Sequence, residues 1–362
     1  MRAFAVAAGL WAVVVAGRAI AARHSEAVEG IYARRVYPAV ARAVSQATGW
    51  TVFSLAEVIV TAGVFAIVLG ALSVVVRGRW RRWTAAGVAS AAARLLAGAA
   101  IAVLVFDVLW GFNYDRAPVA ALLGYDLAPA PAEDLAALSA DLLDRAAALR
   151  EGLPEDGAGA LRLTDGRRGA LFRAGRGYEA AELASRIPVP RLSAPPKLVL
   201  FSPLMSYLGI GGIFIPFTCE ANVNATLPDW EIPFTSAHEL AHQRGFAREE
   251  EANYVGYLAC RAHPDRDFQY SGTFRAGLYA LSALAQADRA AYEPLRARLS
   301  APLRRDLAAL SAWHRRYESR LGEVQERVND AYLKTQGQAD GVRSYGRMVD
   351  LLLAERRAKD RR

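Results

Sequence analysis

Hydrophobic positions crowd the first third of the chain, in three long runs: 4–22 (FAVAAGLWAVVVAGRAIAA), Thr51–Val76 and 87–111. About twenty apolar residues in a helix cross the hydrocarbon of a bilayer, so each run predicts a transmembrane helix. The first, with Arg2 before it and small residues after it, fits a cleaved signal equally well. Polar interruptions are few. Arg18 stands in the first run, Glu57 near one end of the second, and Arg94 and Asp107 toward the ends of the third. From such end positions long side chains reach the headgroups. Between the second and third runs lies RGRWRRW, residues 77–83, with four arginines and two tryptophans. Short arginine-rich loops stay in the cytoplasm and tryptophan favours the interface. This loop is therefore expected inside, and everything after Asn113 outside, although the outer loop itself carries Arg23, Arg34, Arg35 and Arg42.

Beyond Asn113 the pattern becomes that of a water-soluble domain, 113–362, following a membrane region, 1–112. Leu135, Leu138, Leu142 and Leu149 recur at helical spacing, with Glu133 and Asp134 where acids complement a helix start. The stretch PPKLVLFSPLMSYLGIGGIFIPFTCEANVNATLP changes character. Its β-branched and aromatic runs, interrupted by glycine and proline, predict two or more strands. From Ser236 to the end the pattern is helical again. The expected fold is α+β and mostly helical: three N-terminal transmembrane helices, then a domain with a small sheet.

Composition agrees, with 53% hydrophobic residues and a mean hydropathy of +0.12. The formal charge of +8 comes from arginines flanking apolar runs, not from a basic stripe interleaved with aromatics, so no nucleic-acid partner is expected. Cys219 and Cys260 are the only cysteines, which excludes a disulfide scaffold and a four-cysteine zinc ribbon but leaves their pairing open.

The candidate chemistry lies in TSAHELAHQRGFAREEEAN. Residues i and i+4 share one helix face, so His238 and His242 can turn ring nitrogens toward one metal. Glu239 stands beside them, free to take a proton from a water that the metal activates. Thr235 or Ser236 would cap the helix. The bland alternative is a charged helical hairpin. Gly245 would end the helix and reverse the chain. The position that presents a third histidine in HExxHxxGxxH is Arg248 here, which cannot ligate. A carboxylate from Glu249, Glu250 or Glu251 must then complete the site. Glu249 shares a face of small and polar residues with Ala252, Asn253 and Gly256, suited to close approach by the first helix, with Asn253 as a partner for a histidine ligand. Glu251 shares an apolar face and is the alternative. Two imidazoles and a carboxylate favour Zn2+.

The stretch PFTSAHELAHQRGFAREEEANYVGYLAC, with GGIFIPFTCEANVN upstream and VNDAYLKTQGQADGVRSYGRMVDLLLAE downstream, resembles the bacterial membrane family catalogued as domain of unknown function 3810. The resemblance covers most of the soluble domain and extends to the order of apolar segments. It implies a zincin of the glutamate-ligand type, a hydrolase placed in the cytoplasmic (inner) membrane. In membrane relatives of that type a Glu followed four residues later by Asp or Asn supplies the third ligand, and Glu249 with Asn253 fits.

Zinc proteases commonly bind substrate as an added strand beside the HExxH helix. GIGGIFIPF offers that edge, which makes Gly212 and Phe214 candidate substrate contacts, and Asn222 a candidate for the cleft. A second donor to the developing oxyanion is expected, with Tyr345, Arg343 and Tyr332 as candidates. The expected activity is zinc-dependent hydrolysis of peptide bonds in a peptide or protein substrate, by a protein anchored in a lipid bilayer. A membrane sensor or scaffold with a structural or inactive zinc site, and a zinc amidase acting on cell-wall peptides, are the alternatives. Oligomeric state is not legible.

Overall fold

The computed structural model describes residues 2–78, 84–180, 187, 189–338 and 340–361, and the backbone alone of Val342 and Tyr345. Residues 79–83, most of the arginine–tryptophan loop, lie outside the described residues. The chain is mostly helical with one small mixed sheet. Its N-terminal part comprises α1 (Arg2–Arg23), α2 (Tyr37–Thr48), α3 (Leu55–Val76) and α4 (Ala85–Leu109). Of these, α1, α3 and α4 are long and apolar enough to cross a membrane, which supports a membrane protein. Ser54 and Thr84 cap α3 and α4, their hydroxyl oxygens accepting the N–H groups of Glu57 and Gly87. Asp107 does not reach for headgroups. It is buried and takes hydrogen bonds from Arg18 Nε (2.9 Å) and Nη2 (2.7 Å), because a charge on an apolar helix costs least when paired.

The segment between α1 and α3 is ordered helix rather than loop. A π-helical stretch, Val28–Val36, leads into α2. Tyr37 Oη donates to the carbonyl of Gln243 at 2.9 Å, and buried Glu29 accepts from Arg116 Nε, also at 2.9 Å. Arg116 in turn donates to the carbonyl of Gly245 at 2.8 Å. This segment therefore supports the turn that follows the two histidines.

The rest of the chain that positions the site is α5 (Ala132–Arg150), β1 (Lys197–Val199), α6 (Ser202–Tyr207), β2 (Gly212–Ile215), β3 (Glu220–Asn224), α7 (Ile232–Gln243), α8 (Glu249–Ala262), α9 (Arg266–Ala287), α10 (Ala301–Tyr317), α11 (Arg320–Thr335) and α12 (Met348–Asp360). Leu135, Leu138 and Leu142 of α5 are buried, as their spacing predicts, in a core shared with Trp230, Tyr254, Phe268 and Phe274. The sheet order is β1-β3-β2, with β1 parallel and β2 antiparallel to the central strand. Ala221 and Val223 of β3 join the core that holds Phe234, Ala237 and Leu240 of α7. Glu220 therefore faces the other way. Its carboxylate accepts the N–H groups of Leu55 (3.0 Å) and Ala56 (2.7 Å) at the start of α3, and is paired with Lys197. The sheet is thus fastened to the end of a membrane-length helix.

The expected cap at Thr235 or Ser236 is not where α7 begins. The helix starts at Ile232, with Pro233 in its first turn, and Thr235 and Ser236 lie inside it. Proline tolerates the first turn because its missing N–H would be unpaired there anyway. Ser271 Oγ accepts the N–H of Phe234 instead (3.0 Å).

Candidate metal centre

On α7, His238 and His242 stand one turn apart. Gly245 then adopts φ +88°, a left-handed conformation that an L side chain resists, and the chain reverses into α8. The first residue of α8 is Glu249. The two Nε2 atoms are 3.1 Å apart, and Glu249 Oε2 lies 3.4 Å from that of His238 and 3.5 Å from that of His242. Among the described residues this is the one group of three such side chains whose ligand atoms converge, all within 4.8 Å of one another.

The polarity of these atoms is the informative part. His242 Nδ1 lies 2.8 Å from the carbonyl of Phe246, which only accepts, so Nδ1 carries the proton and Nε2 presents its lone pair. That lone pair meets a second imidazole nitrogen and a carboxylate oxygen. Glu249 Oε2 is buried without a hydrogen-bond partner. His238 Nδ1 has no hydrogen-bond partner either, so nothing fixes the tautomer of that ring and its Nε2 is free to present a lone pair. Two imidazole nitrogens and an unpartnered carboxylate oxygen converging on one point fit a bound cation. Without one, a single proton does part of that work. Burial holds His238 below its usual range, whereas at His242 the neighbouring Glu249 outweighs burial and raises the ring to about 9. Burial disfavours the Glu249 charge, but the two imidazoles outweigh it and hold the carboxyl well below its usual range.

The fit of α8 on α7 makes the convergence possible. A side chain at Gly256 would stand 3.1 Å from the backbone nitrogen of His238, so the helices touch through backbone there. Asn253, one turn after Glu249, interacts with His238 and with Tyr279 of α9. Glu251 is turned elsewhere: it accepts from the Val119 N–H (2.8 Å) and from Arg248 Nη1 (2.9 Å). Glu250 accepts from Gln338 Nε2 at 3.2 Å. Of the three acids, only Glu249 reaches the histidines.

Glu239 lies against β2, where a Cβ on Gly212 would collide with its carboxylate. Burial raises the Glu239 carboxyl to about 8, with His242 opposing and Glu249 adding, and its Oε2 has no partner. All four groups open into a cavity of about 760 Å³. Gly212 and Phe214 are on its wall, and β2 is an edge strand. Asn222 is not. It sits buried on the face of β3 turned from α7, its amide donating to the carbonyl of Glu220, because alternation along the strand gives the α7 side to Ala221 and Val223. Arg343 is exposed on a short 3-10 segment, Gly341–Arg347, and does not line the cavity, since that turn packs beside α11 with this side chain toward solvent. The side chain of Tyr345 lies outside the described structure. Tyr332 does line the cavity, its hydroxyl 3.2 Å from that of Tyr114.

Sequence reasoning missed Trp110 and Tyr114, which follow α4. The Trp110 ring stacks on Tyr114 and lies 5.8 Å from the His242 ring, centre to centre. It also missed Arg275 and Tyr279 on α9, which line the cavity where Arg275 pairs with Glu231. No spacing links such residues to the motif. The one available signal was that Trp110 ends an apolar run.

The chain belongs to the family described as protein of unknown function (DUF3810), whose model matches residues 32–353. No curated protein matches the chain. No solved structure matches it.

Proposed function

We propose that this protein is a membrane-anchored, zinc-dependent metallopeptidase held in the bacterial cytoplasmic membrane, with its zincin-like domain, 113–362, on the extracytoplasmic side. The observation that carries the reading is the convergence of His238, His242 and Glu249 beside an unpartnered, buried Glu239 carboxylate at the edge strand β2. A zinc ion held by the two imidazoles and Glu249 would supply a Lewis acid that makes water nucleophilic near neutral pH. Glu239, on the same helix as the histidines but not aimed with them, would be ionised by the charge of a neighbouring zinc, which opposes the burial that raises its carboxyl. It would then take the proton from the attacking water and deliver it to the leaving amine. The β2 backbone offers a peptide an edge to pair with, and Gly212 lets that backbone approach the carboxylate closely. Tyr332, on the cavity wall, would donate to the oxygen on which negative charge develops, and its lining position supports this role where Arg343, exposed off the wall, lacks that support. The retained Glu239 favours catalysis over a purely structural zinc site.

The test is to purify wild type and Glu239→Gln in detergent and measure zinc and proteolysis together. Equimolar zinc in both, with cleavage reduced by about 10²–10⁴ in the variant, is the expected result. Zinc in both with no cleavage by either would favour a sensor or scaffold. Zinc in neither would overturn the reading.

A further inference from the structure

We propose that the rim of the cavity is embedded in the surface of the bilayer, so that the cleft opens at the membrane and takes polypeptide segments adjoining a membrane anchor. The substrate half rests on the metallopeptidase reading; the placement of the rim does not.

Residues 199–219 contain no charged side chain in 21 positions, yet they form no membrane-length helix. They fold as the end of β1, α6, β2 and the turn that leads to β3, and they leave large apolar groups uncovered. Leu200 is 76% exposed, and Phe201, Leu204 and Phe217 are each more than half exposed. A water-facing surface rarely carries so continuous an apolar patch.

Two contacts fix the depth of this patch. The N–H groups of Leu200 and Phe201 donate to the Glu57 carboxylate at 2.9 and 2.6 Å, and Glu57 is in the first turn of α3. The Phe217 ring lies 6.5 Å from that of Phe106, which is three residues before the end of α4. Both loops therefore reach the level at which the membrane-length helices are already inside their apolar segments. Trp50 and Tyr207, 76% and 44% exposed, are residue types that favour this boundary.

A second element points the same way. On α11, Leu321, Val324 and Val328 form one exposed stripe at helical spacing, and Leu333 is the only residue buried in the helix. Its ends are pinned to membrane-proximal groups: Ser319 Oγ donates to the Tyr207 carbonyl, and Tyr332 meets Tyr114. Gln325 and Asn329 of the same helix line the cavity. An amphipathic helix so placed lies in the interface plane with its apolar stripe in lipid. The cavity is then bounded by lipid-facing groups on both sides, with Phe106 and Trp110 of the membrane region in its wall.

The test uses the full chain in phospholipid nanodiscs, with spin labels on Leu204→Cys, Phe217→Cys and Val324→Cys, and on Arg296→Cys as a water-exposed reference; both native cysteines are buried. Labels at 204, 217 and 324 should collide with oxygen and be shielded from a water-soluble nickel complex. If they meet nickel as freely as the label at 296, the rim proposal is overturned whatever the activity. In liposomes, a casein segment fused to a transmembrane helix should be cleaved at least about tenfold faster than the same segment free in solution. Leu204→Glu should abolish that preference and leave cleavage of the free segment unchanged. Equal rates for both segments, with labels in lipid, would overturn the substrate assignment. Lipid-shielded labels with neither segment cleaved would refute the metallopeptidase reading and leave the rim in place.

Discussion

Glu249 and Glu251 are two residues apart on one helix, and their surroundings give them different work. Glu249 faces two imidazole nitrogens with its Oε2 otherwise unpartnered; Glu251 is held by a backbone N–H and a guanidinium. Glu249→Ala should therefore abolish stoichiometric zinc while the fold persists. Glu251→Ala should keep its zinc and lose about 1–3 kcal/mol of stability, because the Val119 N–H and Arg248 are left buried without their acceptor. Metal analysis and thermal unfolding of the two purified variants separate the assignments, and the opposite pattern would make Glu251 the ligand. This choice was legible in the sequence because it is a matter of helix faces. Positions 249, 252, 253 and 256 make a small, polar side, and the structure lays that side on α7. Arg343 and Asn222 lie off the cavity wall for the complementary reason. Their residue types suit the chemistry, but which way each points is decided by partners far away in sequence.

At the scale of elements, the metal centre depends on how closely α8 can lie on α7. Gly256 is the contact point: a Cβ there would meet backbone atoms of His238, which cannot rotate away as a side chain can. Gly256→Val should push the helices apart without touching a ligand. Overpacking of this kind costs about 1–3 kcal/mol, so zinc affinity should fall about tenfold or more, read by competition with a chromogenic chelator. A normal affinity would show that the two helices do not set the ligand geometry. On its other side α8 is tied to α12, where Glu355 accepts from both Arg261 amino groups, at 2.9 and 3.2 Å. Burial raises the Glu355 carboxyl, but Arg261 and Lys359 outweigh it and hold it below its ordinary range. A depressed carboxyl stabilises the fold above its unfolded value, about 4.3, and loses that contribution as pH falls through the folded value. Glu355→Gln should thus lower the melting temperature at pH 7, and the gap to wild type should close below about pH 4. A gap that is independent of pH would mean that shape, not charge, joins α8 to α12. The hydrophobic pattern announced both helices; it held no information on where α7 starts, because a proline in a first turn reads equally well as a residue before the helix.

The whole molecule joins membrane and site more tightly than a division at residue 113 implies. The turn after the histidines is held from below by groups that precede that division: Tyr37 on the carbonyl of Gln243, Glu29 through Arg116 on that of Gly245, and Trp110 beside the His242 ring. None of this was legible, since the segment between the first two apolar runs carries no motif and its four arginines bore only on topology. The structure shows instead a buried acid, Glu29, whose cost is offset by its ion pair with Arg116. If the soluble part were self-sufficient, a fragment of residues 113–362 would bind zinc like the full chain. We expect otherwise. Losing Tyr37 removes the donor to the Gln243 carbonyl, losing Glu29 leaves the Arg116 guanidinium buried without its acid beside Gly245, and losing Trp110 opens one wall of the cavity. The fragment should aggregate or hold well under one equivalent of zinc, and co-expression with residues 1–112 should restore both solubility in detergent and metal content. A monodisperse fragment with full zinc would show that the membrane helices only tether a finished site. Rescue by the separate N-terminal piece would show that the site is completed by the chain that crosses the membrane, which is also what a cleft opening at the bilayer surface requires.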